Sequence, residues 1–206
     1  VESNALDTDR RRAKRGFGDR MFQVRIHGRG GQGVVSAAEI LSVAAFLEGE
    51  HAQAFPSFGS ERMGAPVVAF CRIDDKEIRL REPVMAPDAL IVQDPTLLHQ
   101  VDLFSGLDTR GYLLINTTRS YRDLGLGDYV TRFPPHHICT VAATEWAREY
   151  VGRPVPNAAL LGAFAAVTRR VKLESVEAAI REKFPGKIGD GNARAAAKAY
   201  DSIRTN

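Results

Sequence analysis

Four glycines, Gly28, Gly30, Gly31 and Gly33, stand between an apolar, partly β-branched run (Phe22, Val24, Ile26) and the helix-forming segment Ser36-Ala37-Ala38-Glu39-Ile40-Leu41. Glycine accepts positive φ and lets a ligand or a neighbouring backbone come close. A helix N-terminus presents free N–H groups and partial positive charge. The chemistry on offer is a seat for phosphate. Gly28, Gly30 and Gly33 satisfy the G-x-G-x-x-G spacing, which also fits a tight strand-to-helix turn that holds no ligand.

A second candidate is the loop Ser57-Phe58-Gly59-Ser60-Glu61-Arg62-Met63-Gly64-Ala65-Pro66, with the charged pair Glu61 and Arg62 at its centre. It is longer than a plain connector and follows a strand, where α/β sheets gather ligand-contacting loops. Asp94 and Asn116 each follow an apolar run (Ala89–Val92 and Tyr112–Ile115) at a strand's carboxyl end, where they serve either a ligand or the capping of the next segment.

Several chemistries are disfavoured. A dinucleotide site needs an acid at the end of the second strand, but that strand ends at Phe55-Pro56-Ser57, and Glu48 and Glu50 precede it. No G-x-x-x-x-G-K-[ST] occurs. The two cysteines, Cys71 and Cys139, lie far apart without a C-x-x-C partner, so this chain builds no iron–sulfur or zinc site from them. The adjacent His136 and His137 do not share a face and make a poor metal pair. Gly189-Asp190-Gly191-Asn192 opens like a thiamine diphosphate signature, but the second asparagine element is missing; it reads as a turn before the last helix.

Positioning these residues takes a full core, which 206 residues at 44% hydrophobic content supply. The net charge of +3 owes much to one run, Arg10-Arg11-Arg12-Ala13-Lys14-Arg15, so residues 1–20 read as a basic arm and 21–206 as one domain. No aromatic-interleaved basic patch suggests nucleic acid, and no apolar stretch is long enough for a membrane span, so a cytoplasmic location is expected.

The pattern then predicts a strand from Phe22, a mostly buried helix over Val34–Leu47 ended by Gly49, and a strand over His51–Phe55. This forms a βαβ unit with a parallel crossover as the default. Val67–Ile73 and Glu77–Leu80 read as a β-hairpin about Asp74-Asp75. Ala89–Val92 and Tyr112–Ile115 read as strands joined through a short amphipathic helix, Thr96–Phe104, with one or two strands more over Tyr129–Cys139. Helices follow over Val141–Val151, Asn157–Val171 (Asn157 as N-cap), Glu174–Phe184 and Ala193–Ile203. The alanines and Gly162 of the second of these suit close packing, inside the domain or against another subunit. The fold class is a Rossmann-like α/β domain: a mixed, mostly parallel sheet with flanking helices and an inserted β-hairpin.

Three ordered motifs, Gly28-Arg29-Gly30-Gly31-Gln32-Gly33-Val34-Val35-Ser36-Ala37-Ala38-Glu39, Ala52-Gln53-Ala54-Phe55-Pro56-Ser57 continuing to Pro66, and Ile91-Val92-Gln93-Asp94-Pro95-Thr96-Leu97-Leu98, resemble the gamma subunit of 2-oxoacid:ferredoxin (acceptor) oxidoreductases, the pyruvate-type branch most closely. Asn157–Ala163 and Leu173–Phe184 extend the resemblance to the C-terminus; the basic arm lies outside it. The resemblance implies a hetero-oligomer that decarboxylates a 2-oxoacid and acylates coenzyme A. Thiamine diphosphate with magnesium would sit in alpha and beta subunits and iron–sulfur clusters in a ferredoxin-like delta subunit, with a flavoprotein subunit as a possible addition. It implies that this chain helps to hold coenzyme A through Gly28, Arg29, Gly30, Gly31, Gln32 and Gly33, with Ser57, Glu61, Arg62 and Asn116 beside the ligand. It supplies no catalytic residue. Met63 departs from the arginine common among relatives and removes a positive charge from the loop. A purely structural role in the same complex and a stand-alone NAD-binding reductase are the alternatives.

Overall fold

The structure, a computed structural model, describes residues 21–57 and 63–204; the basic arm, Glu61 and Arg62 lie outside the described residues. Strand β1 (Phe22–Arg29) leads through the glycine turn into α1 (Val34–Leu47), and β2 (His51–Pro56) follows. Then come β3 (Pro66–Asp74), β4 (Ala89–Val92), β5 (Tyr112–Asn116), a helical turn α2 (Gly127–Val130) and β6 (Ile138–Val141). Four helices close the chain: α3 (Ala143–Val151), α4 (Asn157–Thr168), α5 (Leu173–Lys183) and α6 (Lys187–Arg204).

One six-stranded sheet has the order β2-β3-β1-β4-β5-β6. β1, β4, β5 and β6 run parallel, and β2 shares their direction because both it and β1 are antiparallel to β3. The expected mixed, mostly parallel α/β sheet is therefore present. β1 and β2 are not neighbours, however: β3 is inserted between them, pairing Val24 with Cys71 on one side and Ala54 with Cys71 on the other.

The antiparallel insertion is real, but its hairpin partner is β2, and Glu77–Leu80 forms no strand. Arg72 gives the reason. The residue is 3% exposed, and its guanidinium donates to the carbonyls of Leu80 (3.3 Å) and Glu82 (2.6 Å), drawing that backbone onto a side chain instead of a ladder. Buried Arg25 acts likewise. It donates to Val84, Leu103 and Ser105 carbonyls at 3.2, 2.8 and 2.6 Å, so the chain beyond Gln100 leaves helical geometry. Of the helix expected over Thr96–Phe104, only a 3-10 turn at Pro95–His99 forms. Buried guanidinium groups demand acceptors, and these carbonyls supply them.

Alternation along the strands divides the core. Val24, Ile26, Ile91 and Leu114 face α1, α4, α5 and α6, whereas Leu90, Val92, Leu113 and Ile115 face Leu97, Leu103 and Val130 on the other side. The segment expected as strands over Tyr129–Cys139 is α2's end, a 3-10 turn at Pro135–His137 and only the start of β6.

Two further expectations need correction. Asn157 is the first residue of α4, with Pro156 at the N-cap. Gly189-Asp190-Gly191-Asn192 lies inside α6, not before it. A Cβ at Gly189 would stand 1.8 Å from the Phe184 carbonyl oxygen and one at Gly191 2.5 Å from that of Tyr150, so these glycines permit close backbone approach within the helix. Gly162 does the same for α4, where a Cβ would meet the Ala196 carbonyl oxygen at 1.9 Å. The small residues of α4 thus serve packing against α6 inside the domain.

Candidate functional site

The carboxyl ends of β1, β2, β4 and β5 and the amino end of β3 fall at one end of the sheet, as their pairing requires. The glycine turn lies there. Gly30 N–H donates to the Ala65 carbonyl (2.9 Å), and Gly64 N–H returns to that of Gly30 (3.1 Å). Gly31 and Gly33 take φ of +94° and +72°, the left-handed region in which side chains are strained. Gly28 is needed for a different reason: a Cβ there would lie 2.6 Å from Val34 Cγ2 and 3.1 Å from Gln93 Cβ.

Helix α1 opens on Gly33 with no side-chain cap and no acid in its first turn. Its first internal bond runs from Ala37 N–H to the Gly33 carbonyl at 2.9 Å. The N–H groups of Val34, Val35 and Ser36 precede that bond and have no partner among the described residues. They carry the positive end of a fourteen-residue helix.

Arg29, in contrast, is turned inward. Its guanidinium donates to Gly64 O (3.0 Å), Thr96 Oγ1 (2.8 Å) and Gln100 Oε1 (2.9 Å) and pairs with Asp94 Oδ2 at 3.2 Å. Gln32 accepts from Arg29 N–H (2.8 Å) and donates to Asp94 Oδ2 (2.8 Å), tying the ends of β1 and β4 together. Asp94 also caps the following 3-10 turn by accepting from Thr96 N–H at 2.9 Å. Burial opposes its charge, but hydrogen bonds from Thr96 and Gln32 and the charge of Arg29 outweigh it and hold the carboxyl below its ordinary range.

Asn116 is likewise committed. Its amide donates to Gln93 O and Thr144 Oγ1, both at 2.8 Å, and its oxygen accepts from Thr144 N–H at 3.1 Å, capping the start of α3. Ser57 is exposed, and its N–H donates to Val68 O at 2.8 Å. It follows the end of β2, two strand spacings, about 10 Å, from β1. Met63, 86% exposed, lays its thioether over Gly31, with Cε 2.9 Å from where a Cβ would be. The structure brings together Gly28, Arg29, Gly30, Gly31, Gln32 and Gly33, with Asn116 behind them, and leaves Ser57 at the sheet edge.

Sequence reasoning gave no role to Gln93 and missed what Asn157 does. Gln93 is 1% exposed with both amide atoms unpartnered, its side chain beside Gly28. Asn157 Nδ2 reaches the Gly33 carbonyl at 3.4 Å, bringing the start of α4 against the turn. Only the polarity of Gln93 between an apolar strand and Pro95 hinted at the first; no local pattern announces the second, which spans 124 residues. His27, on the opposite face, is buried beside Arg25, and burial first, then the Arg25 charge, pushes its pKa down to about 4. Among the described residues, no group of three or more His, Cys, Asp or Glu could hold a metal ion. Among the described residues, no helix is long and apolar enough to cross a membrane. Cys71 and Cys139 are free thiols four strand positions apart, whose pKa values burial pushes up to about 12.

Comparison with known proteins fits this geometry. The family "Pyruvate ferredoxin/flavodoxin oxidoreductase" matches residues 23–202. The common gamma subunit of the pyruvate/ketoisovalerate oxidoreductases of Pyrococcus furiosus is 49% identical over 181 residues, 88% of this chain and 96% of that one. A crystal structure of a pyruvate oxidoreductase subunit from Thermotoga maritima superposes with a TM-score of 0.75 at 39% identity, covering 89% of this chain and 97% of that one. The fold recurs in a 2-oxoglutarate:ferredoxin oxidoreductase from Magnetococcus marinus solved with 2-oxoglutarate, coenzyme A and succinyl-CoA, at TM-score 0.66 and 14% identity, over 91% of this chain and 32% of that one. The chain belongs to the pyruvate ferredoxin/flavodoxin oxidoreductase family, among its gamma subunits.

Proposed function

We propose that this chain, as a gamma subunit, serves a complex that oxidatively decarboxylates a 2-oxoacid to its acyl-CoA, and that the N-terminus of α1 supplies part of the coenzyme A site. The observation that carries this reading is the uncapped helix start, three N–H groups without a partner among the described residues, behind a left-handed glycine and with no acid in the first turn. Such a start suits a phosphate of the ADP half of coenzyme A. The ligand would be held by backbone groups of Gly31 to Ser36, with Arg29 acting at a distance through the network that fixes the turn.

Thiamine diphosphate, magnesium and iron–sulfur clusters belong in this reading to alpha, beta and ferredoxin-like delta subunits. A buried and a half-buried thiol on separate strands do not fit a cluster, and no group of described residues fits a metal. The chain alone would then be inactive, working beside those subunits and, in some assemblies, a flavoprotein. The domain would span residues 21–206, with 1–20 as an appended arm.

A second reading, assembly alone, is favoured by one specific observation: Arg29, Gln32 and Asn116 make their bonds within the chain. Ser36→Asp separates the two. An acid at the third helical position favours the helix, so the chain should stay at least as stable, while a bound phosphate would be repelled. In the purified complex the expected result is a KM for coenzyme A raised tenfold or more with kcat little changed. A KM within twofold of the parent would leave the assembly role.

A further inference from the structure

At the amino end of the sheet, away from the glycine turn, a cavity of about 890 Å³ runs along β6. β6 is a sheet edge, paired only with β5 among the described strands. The Val141 carbonyl accepts from Thr117 N–H at 2.8 Å, so Val141, and Cys139 two residues earlier, turn their backbone groups toward β5. Thr140 between them turns its N–H and carbonyl outward into the cavity it lines.

An exposed edge is usually blunted by lysine, proline or a short, bulged strand. β2, at the other edge, ends on Pro56; β6 is limited only by its length of four residues, and Ile138-Cys139-Thr140-Val141 carries no charge and no proline. The cavity walls mix apolar groups, among them Ile138, Val167 and Ile203, with the polar Tyr112, Tyr121, His136 and His137; Arg169 supplies a cation, and no carboxylate lines the cavity. The Tyr121 hydroxyl is buried without a hydrogen-bond partner.

Arg169 adds an independent sign. It caps α4 at φ 53°, and it is the only non-glycine residue with positive φ among the described residues. Glycine is favoured at such a position, so an arginine held there in strain points to a use for its side chain. Arg170 is tied to Glu50, whereas Arg169 is exposed, near enough for its charge to bear on the Tyr112 hydroxyl.

We propose that β6 receives an extended, carboxylate-bearing segment of another subunit of the complex, added as a further strand against Thr140 with its acid on Arg169. Main-chain bonds to the open edge give such an addition its affinity, and the Arg169 charge gives it selectivity. This rests on the chain's working within a multi-subunit enzyme, but not on the phosphate site at α1.

The test compares amide exchange at Thr140 in the isolated chain and in the purified complex, and measures complex formation with Arg169→Glu, Arg169→Gly and Thr140→Pro. Thr140 should exchange at least tenfold more slowly in the complex. Arg169→Glu and Thr140→Pro should weaken association at least tenfold, and Arg169→Gly severalfold while leaving the isolated chain at least as stable, since glycine relieves the left-handed strain. Equal exchange in both states, or both Arg169 variants assembling like the parent, would overturn the proposal. So would an isolated chain that dimerises through β6 and is made monomeric by Arg169→Glu, which would assign the edge to a second copy. A complex that forms normally with every variant would sink this docking while leaving the subunit role intact.

Discussion

Replacing Gly33 by alanine probes the junction on which the candidate site depends. Two separate costs apply. At φ +72° an alanine sits in the left-handed region, which costs roughly 1–2 kcal/mol. Its Cβ would also stand 2.5 Å from Asn157 Nδ2 and 3.0 Å from Asn157 Cγ, so that amide has to move. Asn157 is 1% exposed and its oxygen accepts from Ala158 N–H at 2.8 Å; displacing it inside the core costs a further ~1–3 kcal/mol. The expected loss is therefore about 2–5 kcal/mol, or roughly 5–15 °C in Tm for a domain of this size. A double-mutant cycle separates the two parts. In an Asn157→Ala background the clash with the amide is gone, and Gly33→Ala should then cost only the backbone strain, a coupling of ~1–3 kcal/mol by denaturant unfolding. A Gly33→Ala chain within ~0.5 kcal/mol of the parent, about the error expected for independent sites, or an equal cost in both backgrounds, would refute this account of the turn.

Two other outcomes follow from buried titrating groups. His27 has a folded pKa near 4, below its ordinary 6.5, so the unfolded chain binds more protons between those values. Stability should be full above pH 6.5 and decline as pH falls toward 4, by at most about 3 kcal/mol, and His27→Gln should flatten that part of a urea-midpoint profile. Cys71 and Cys139, with thiols pushed up to about 12 by burial, should resist iodoacetamide at pH 8 in the native chain and react promptly in denaturant. Fast native alkylation of both would contradict the burial described.

What the sequence made legible was what local chemistry decides. β1, the whole of α1 and the glycine turn follow from apolar spacing and positive-φ positions, and the structure has α1 over the expected residues. The errors cluster where a distant side chain takes over the backbone. Arg72 claims the carbonyls of Leu80 and Glu82, and Arg25 those of Leu103 and Ser105, so a strand and part of a helix that propensity allowed do not form. Gly189 and Gly191 read as turn residues because their local pattern gives no sign of the Phe184 and Tyr150 carbonyls that they must clear.

The same logic reshapes the site. The family resemblance implies Arg29, Gln32 and Asn116 beside the ligand, yet each is bound to a partner at least 28 positions away: Arg29 to Thr96, Gln32 to Asp94, Asn116 to Thr144. Their work is to fix the ends of β1, β4 and β5 and to hold the turn rigid. Rigidity of that kind is what a backbone anion site requires, because N–H groups bind well only when already aimed. In the proposed phosphate seat, side chains that only fix the turn would be as necessary as the amides themselves. Substituting Arg29 should loosen the turn rather than delete a contact, so any effect on coenzyme A would come with lost stability, whereas Ser36→Asp would act on the ligand alone.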